Sequence, residues 1–253
     1  MKAACRYKKI LNRLPTALAL VLFAGAMEVV GRYDLSLFLP RFSTVLRTLW
    51  NLVMAGPLWE AILRSLDSFV MGVTSAAVGG ILAGLVLGRY PLIAAVFDPF
   101  IGFMMSAPLP TLVPVLIVLF GVGRVVVLLT VFLFAFFIIL VNTRAGVEGT
   151  RQSLVDMARS YGASEVQLLG KVYLPSALPS IATGLRLGVI NGFKGLIIAE
   201  MMLGLGGLGR LLAQYANVYL ISHLYAVVLT VMGMALLGAY VVQALDGLFI
   251  RWK

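Results

Sequence analysis

Few residues of this chain could do chemistry, and those few stand where charge is costly. Asn191, Lys194 and Glu200 lie within the apolar run 178–203. Asn191 and Lys194 are one turn apart and share a helix face, so both could line one path. Lys194 in that position would attract an anion; snorkelling, or pairing with an acidic residue such as Glu28, are its competing readings. Glu200 falls near the far edge of the same run. No acid–base pair, metal cluster or nucleophile constellation accompanies them, so an enzyme is not expected. Cys5 is the only cysteine and His223 the only histidine, which excludes an intramolecular disulfide and a cysteine- or histidine-clustered metal site. His223 reads as an interfacial residue at the start of the last apolar run.

The glycine-rich "GLGGLG" at Gly204–Gly209 lacks the lysine and hydroxyl residue of a phosphate loop. It predicts a tight turn or re-entrant backbone instead. Since no other stretch carries ATPase machinery, energy for any uphill process must come from another polypeptide.

A second polar region is longer. "VDMARSYGASEVQLLGKVYLPSALPS" runs from Val155 to Ser180 between long apolar runs. Leu154, Ala158 and Tyr161 follow helical spacing and share a face, with Arg151 and Arg159 projecting elsewhere. Gly162 allows a sharp turn or the close approach of another backbone. A second helical stretch continues toward Val172, with Leu174–Pro175 expected to end it. The pattern predicts two short helices joined at a glycine, lying along a membrane surface and presenting an apolar ridge.

The elements that position these residues follow from composition. The chain has 253 residues, 61% hydrophobic and 12% charged, with a mean hydropathy of +1.03. A soluble domain has about a quarter charged residues. The chain is therefore an all-α polytopic membrane protein, with spans expected at 14–31, 62–87, 92–119, 122–142, 178–203 and 223–248. The third contains Pro99, Pro108, Pro110 and Pro114 and should be broken inside the bundle. Ala76, Gly79, Gly80, Ala83, Gly84 and Gly88 form a close-packing stripe on the second. Between Asp34 and Glu60 an amphipathic piece with Trp50 and Trp59 predicts a short helix at the outer surface.

Of the chain's 20 lysines and arginines, twelve fall in 1–13, 88–91, 143–177 and 249–253, and six on the opposite side or its edge. This asymmetry predicts both termini, and the polar segment, on the cytoplasmic side. The net charge of +10 thus reads as membrane orientation and not as nucleic-acid binding.

The polar segment resembles the cytoplasmic signature of binding-protein-dependent ABC importer permeases. The matching residues are Asp156, Met157, Ala158, Gly162, Val172, Leu174 and Pro175, with Asp for the family's Glu, Met for its first Ala and Val for its Ile. Leu58–Phe69, Asp98–Gly123, Asn142–Val147 and Leu196–Gly209 are similar to the nitrate/sulfonate/taurine branch of these permeases, and the likeness covers about 14–250.

The resemblance implies a six-span type I importer permease fold, MetI-like, occupying 14–250 between cytoplasmic tails at 1–13 and 251–253. Its coupling segment, 148–176, would meet the ATPase through Leu154, Asp156, Met157, Ala158, Arg159, Tyr161, Gly162, Leu174 and Pro175. Candidates for the translocation pathway are Pro108, Pro110, Asn191, Lys194 and Glu200. The implied partners are a second copy of the chain, two cytoplasmic ATP-binding subunits, an extracytoplasmic substrate-binding protein and the bilayer. This chain would hold no cofactor, ATP and Mg belonging to the ATPase. The branch points to a small anion such as sulfonate, taurine or nitrate. A thiamine-precursor pyrimidine or other aromatic solute is the alternative within the same machinery, and an ion-gradient-driven secondary transporter the alternative outside it.

Overall fold

The computed structural model describes residues 14–33 and 38–249. The two expected tails, Cys5 and Asp34 lie outside the described residues. Those described are helical wherever they are regular: α1 (Leu14–Arg32), α2 (Phe42–Met54), α3 (Pro57–Arg89), α4 (Pro91–Ser106), a 3-10 turn (Leu109–Thr111), α5 (Leu112–Phe120), α6 (Arg124–Glu148), α7 (Gln152–Ser160), α8 (Glu165–Leu168), α9 (Leu174–Leu203), α10 (Leu208–Asn217) and α11 (Ile221–Phe249). Among the described residues, four helical stretches are long and apolar enough to cross a membrane, or five if the bent pair α4 and α5 is one span.

Two compact units divide the described residues, those up to 59 with 212–229, and 60–211 with those from 230 onward. In the first, α1 meets the start of α2. Ser43, in the first turn of α2, donates its backbone N–H to Glu28 at 3.0 Å and its hydroxyl at 3.1 Å. The carboxylate thus sits at the positive end of a helix, where anions are favoured. Arg32 is its ion-pair partner at 3.2 Å. Glu28 is therefore a packing and capping residue. The expected short helix between Asp34 and Glu60 is α2, but its neighbour α3 begins earlier than the predicted residue 62. Pro57 has no N–H to lose at a helix start, so it opens the helix there. At 33 residues α3 is about 50 Å long, more than a bilayer core requires.

The core of the second unit is α6, packed between α3 and α9. The small-residue stripe does what its spacing predicts. A Cβ on Gly84 would stand 2.6 Å from Cβ of Thr143, and one on Gly88 2.6 Å from Cβ of Val147. On the other side of α6, a Cβ on Gly188 would stand 2.7 Å from Cγ1 of Ile139. A Cβ on Gly80 of α3 would stand 3.0 Å from Cβ of Ile139, so Ile139 is gripped from two helices whose backbones approach because both lack side chains at the contact. Further along, Phe69 of α3 stacks on Phe193 of α9 with ring centroids 3.9 Å apart.

The third apolar run is broken as expected, with an 89° bend between α4 and the 109–120 segment. Ala107 precedes Pro108 and is extended (φ −67°, ψ 139°), the conformation a following proline imposes. Thr111 Oγ1 donates to the Pro108 carbonyl at 2.8 Å, satisfying backbone freed by the break.

One expected boundary is wrong. Leu174–Pro175 does not end a helix. The chain passes from α8 through a π-helical turn, Leu169–Tyr173, directly into α9, with Pro175 in its first turn. The widened turn changes the hydrogen-bond register just before the proline, so a residue without an N–H is accommodated without a stop.

Candidate functional site

Helix α7 ends in a Schellman arrangement. The Ala163 N–H bonds the Ala158 carbonyl at 3.0 Å, and Gly162 adopts φ +76°. A Cβ on Gly162 would meet nothing within 4 Å, so the turn, not close approach within the chain, is what requires glycine. Ser164 then starts α8 with a capping box. Its Oγ accepts the Gln167 N–H at 3.4 Å while Gln167 Oε1 accepts the Ser164 N–H at 2.9 Å.

The two faces of α7 differ from the predicted ridge. Val155 is 1% exposed and packs with Leu168, Val147, Tyr173, Ala177 and Ile181, and Ala158 packs against the same cluster. Ala158 therefore faces inward, because the turn at Gly162 folds α8 back across it. The outward apolar residues are Leu154, Met157 and Tyr161, 42%, 56% and 87% exposed, with Val166 of α8 at 79%. Met157, the departure from the family's small residue, belongs to this outer surface. Asp156 is held by Gln152 at 2.9 Å. Arg159 reaches Glu165 at 3.4 Å. Leu174 and Pro175 sit in the helical continuation, Leu174 against the inner cluster.

Asn191 and Lys194 are brought together: Nζ of Lys194 lies 3.3 Å from Oδ1 of Asn191, whose amide donates to the Leu187 carbonyl at 2.9 Å. Asn191 and Pro110 line one cavity of about 240 Å3 with Met104, Met105, Phe134 and Phe137. Pro108 and Lys194 are not part of that lining.

Glu200 behaves differently from the other pathway candidates. It is 3% exposed, and both carboxylate oxygens accept the Ser65 hydroxyl, at 2.8 and 2.9 Å. Gly209 N–H donates to Oε2 at 2.8 Å, and Leu208 N–H donates to Ser65 Oγ at 2.9 Å. The glycine-rich stretch is the predicted tight turn, with Gly204, Gly206 and Gly207 all at positive φ. A Cβ on Gly207 would run into the Glu200 carboxylate. Glu200 thus ties α3, α9 and the start of α10 to this turn. An edge of it also reaches a cavity of about 250 Å3 with Arg64, Ser68 and Arg124.

Sequence reasoning missed Ser65, which is fully buried. A signal was present: Leu58, Ala61, Ser65 and Phe69 follow one helical stripe, and a hydroxyl in an apolar stripe needs a polar partner. It also missed two ion clusters. Arg144 binds Asp98 and, at 2.7 Å, Glu148, tying the end of α6 to α4. Arg89 binds Glu165 at 2.8 Å.

A multi-span helical bundle with a folded polar hairpin of short helices defines the class of protein. Residues 76–252 match the family described as binding-protein-dependent transport system inner membrane component. The chain belongs to this family: it is an inner-membrane permease component of an ABC importer. It is 34% identical over 180 residues to the taurine transport system permease protein TauC of Escherichia coli (strain K12), covering 68% of this chain and 65% of that protein. It is 32% identical to SsuC of the same organism, named for aliphatic sulfonates, over 85% of this chain and 82% of that one. It is also 29% identical to the riboflavin transport system permease protein RibX of Chloroflexus aurantiacus, over 95% and 90%. Among solved structures it superposes on the inward-facing MetNI methionine ABC transporter with a TM-score of 0.67, 19% identity, and coverage of 78% of this chain and 96% of that one. That likeness establishes the fold. Among the described residues no group of three or more metal-ligating side chains occurs.

Proposed function

We propose that this permease forms a two-fold homodimer and passes a small anion, a sulfonate such as taurine, from an outside binding protein to the cytoplasm. Each copy contributes six spans, α1 among them, with both termini in the cytoplasm. The segment 148–176 docks on a cytoplasmic ATPase. Closure of two ATPases on ATP pushes the two segments and switches the pathway between inward- and outward-facing.

The observation that carries this reading is the outer face of the segment. Leu154, Met157, Tyr161 and Val166 are exposed on an otherwise polar hairpin whose inner side is fixed by Val155 and Leu168. Apolar side chains held out by a packed base suit a complementary cleft. The double variant Met157→Asp/Tyr161→Asp should still insert, while the ATPase recovered with it should fall about tenfold or more, as expected for lost anchor residues. Undiminished co-purification would remove the segment as a docking surface.

Sidedness is tested with cysteines in a Cys5→Ser background. A cysteine at Ser153 should react with an impermeant maleimide only after the cytoplasmic side is opened, and one at Asn217 from outside in intact cells. Both positions are exposed. Reversed labelling would place the segment beyond an ATPase's reach.

The anion assignment draws on the relatives named for taurine and sulfonates and on the exposed Lys194. The riboflavin relative, with Phe134 and Phe137 lining the cavity near Asn191, favours an aromatic solute as the second reading. Uptake of taurine and of riboflavin by the reconstituted importer separates them. Under the first reading, Lys194→Met lowers taurine uptake several-fold with ATPase assembly intact. Unchanged uptake would make Lys194 a structural residue.

A further inference from the structure

Packing is not all that joins the hairpin to the rest of the second unit. Arg89 is the last residue of α3 and Glu165 the first of α8. Nε of Arg89 donates to Oε2 of Glu165 at 3.0 Å and Nη2 donates to Oε1 at 2.9 Å, a two-point contact that fixes angle as well as distance. The arginine side chain is only 17% exposed. Its guanidinium lies 5.3 Å from the ring of Tyr90 and 5.6 Å from that of Tyr173. Beneath it, Ile81 and Leu85 of α3 pack on the cluster formed by Val155, Leu168 and Tyr173. The hairpin is therefore fastened to the end of α3 by apolar packing and an oriented ion pair, with Tyr173 of the π-helical turn on the same guanidinium.

The same cluster continues into α9 through Ala177 and Ile181, and between α8 and α9 the helix changes form. The five residues Leu169–Tyr173 form the π-helical turn, and a Cβ on Gly170 within it would meet nothing within 4 Å. Such turns are rare and are found frequently at functional sites. The oriented contact reaches a helix distant in sequence, whereas α9 follows the hairpin directly through this turn.

We infer that Arg89 is a positioning residue for energy coupling: through Glu165 it makes the hairpin and the end of α3 move as one body. The inference rests on the proposal that 148–176 docks an ATPase. A push on Leu154, Met157 and Tyr161 is then delivered to α3, 76 residues earlier in the chain than Glu165, as well as to the helix that directly follows the hairpin.

The test is a double-mutant cycle in the complete reconstituted importer, comparing Glu165→Gln, Arg89→Gln and the pair, with Arg89→Lys as the variant that keeps charge but loses the fork. ATPase co-purification, ATP hydrolysis and solute uptake are measured on each. Each neutral single variant should bind the ATPase at the wild-type ratio and hydrolyse ATP, with solute moved per ATP falling about fivefold or more. The double variant should be no worse than either single one, because two residues acting through one contact are not additive. Arg89→Lys should fall between wild type and Arg89→Gln. Multiplying defects in the double variant, unchanged uptake per ATP in the singles, or loss of ATPase binding by Glu165→Gln would each overturn the positioning role. A wild-type permease that recovers no ATPase would instead defeat the docking proposal itself, so the two failures are distinguishable.

Discussion

Two acidic residues of the second unit hold helices together by opposite means. Glu165 is half-exposed and pairs with two arginines, Arg89 and Arg159. Glu200 is buried, has no ion-pair partner among the described residues, and is held by a hydroxyl and a backbone N–H. A partly exposed charge pair is screened by water and adds little to stability, although a forked contact such as Arg89–Glu165 still sets direction. A dry carboxylate depends on each donor around it, because losing one leaves a buried polar group unsatisfied. The Glu200 end, where three left-handed glycines also fix the backbone, is thus built to stay in one arrangement. The Glu165 end, where a forked pair ties the hairpin to α3, is built to pass on movement with the contact kept.

That contrast can be broken at its rigid end first. Glu200→Ala strips the Ser65 hydroxyl and the Gly209 N–H of their acceptor and leaves a void, a loss of about 3 kcal/mol. It should appear as a clearly lowered Tm of the purified permease. A Tm equal to wild type would mean that this carboxylate does not hold the turn. Glu200→Gln keeps the shape and an acceptor oxygen for one of the two donors, so its loss should be smaller, about 1 kcal/mol. If Gln proved as damaging as Ala, charge rather than hydrogen bonding would be the stabilising feature.

The smallest effect belongs to the other end. Arg159→Gln removes an exposed contact of 3.4 Å and should shift stability by less than about 0.5 kcal/mol. A larger shift in Tm would show that the exposed cluster is as fixed as the buried one.

The broken third run, the small-residue stripe and the hairpin turning at Gly162 could all be read along the chain. Each rests on local chemistry. Proline before an unbonded carbonyl, glycine at positive φ and an apolar run of bilayer length act where they stand, whatever surrounds them. Asn191 beside Lys194 was equally legible, since helical spacing alone makes them neighbours.

Other features were decided only when the helices packed. Val155 and not Leu154 became the inner residue of α7, and Ala158 turned inward with it, because the fold of α8 across α7 selects one side of a helix that is apolar on two. Pro175 reads as a stop in isolation, yet a widened turn carries the helix through it. The partners of Glu200 and Glu165 lie 135 and 76 residues away in sequence, at Ser65 and Arg89. Periodicity assigns a residue to a face of its own helix; which face of another helix it meets depends on axial rotation and register, which close glycine contacts between α3, α6 and α9 set only in three dimensions.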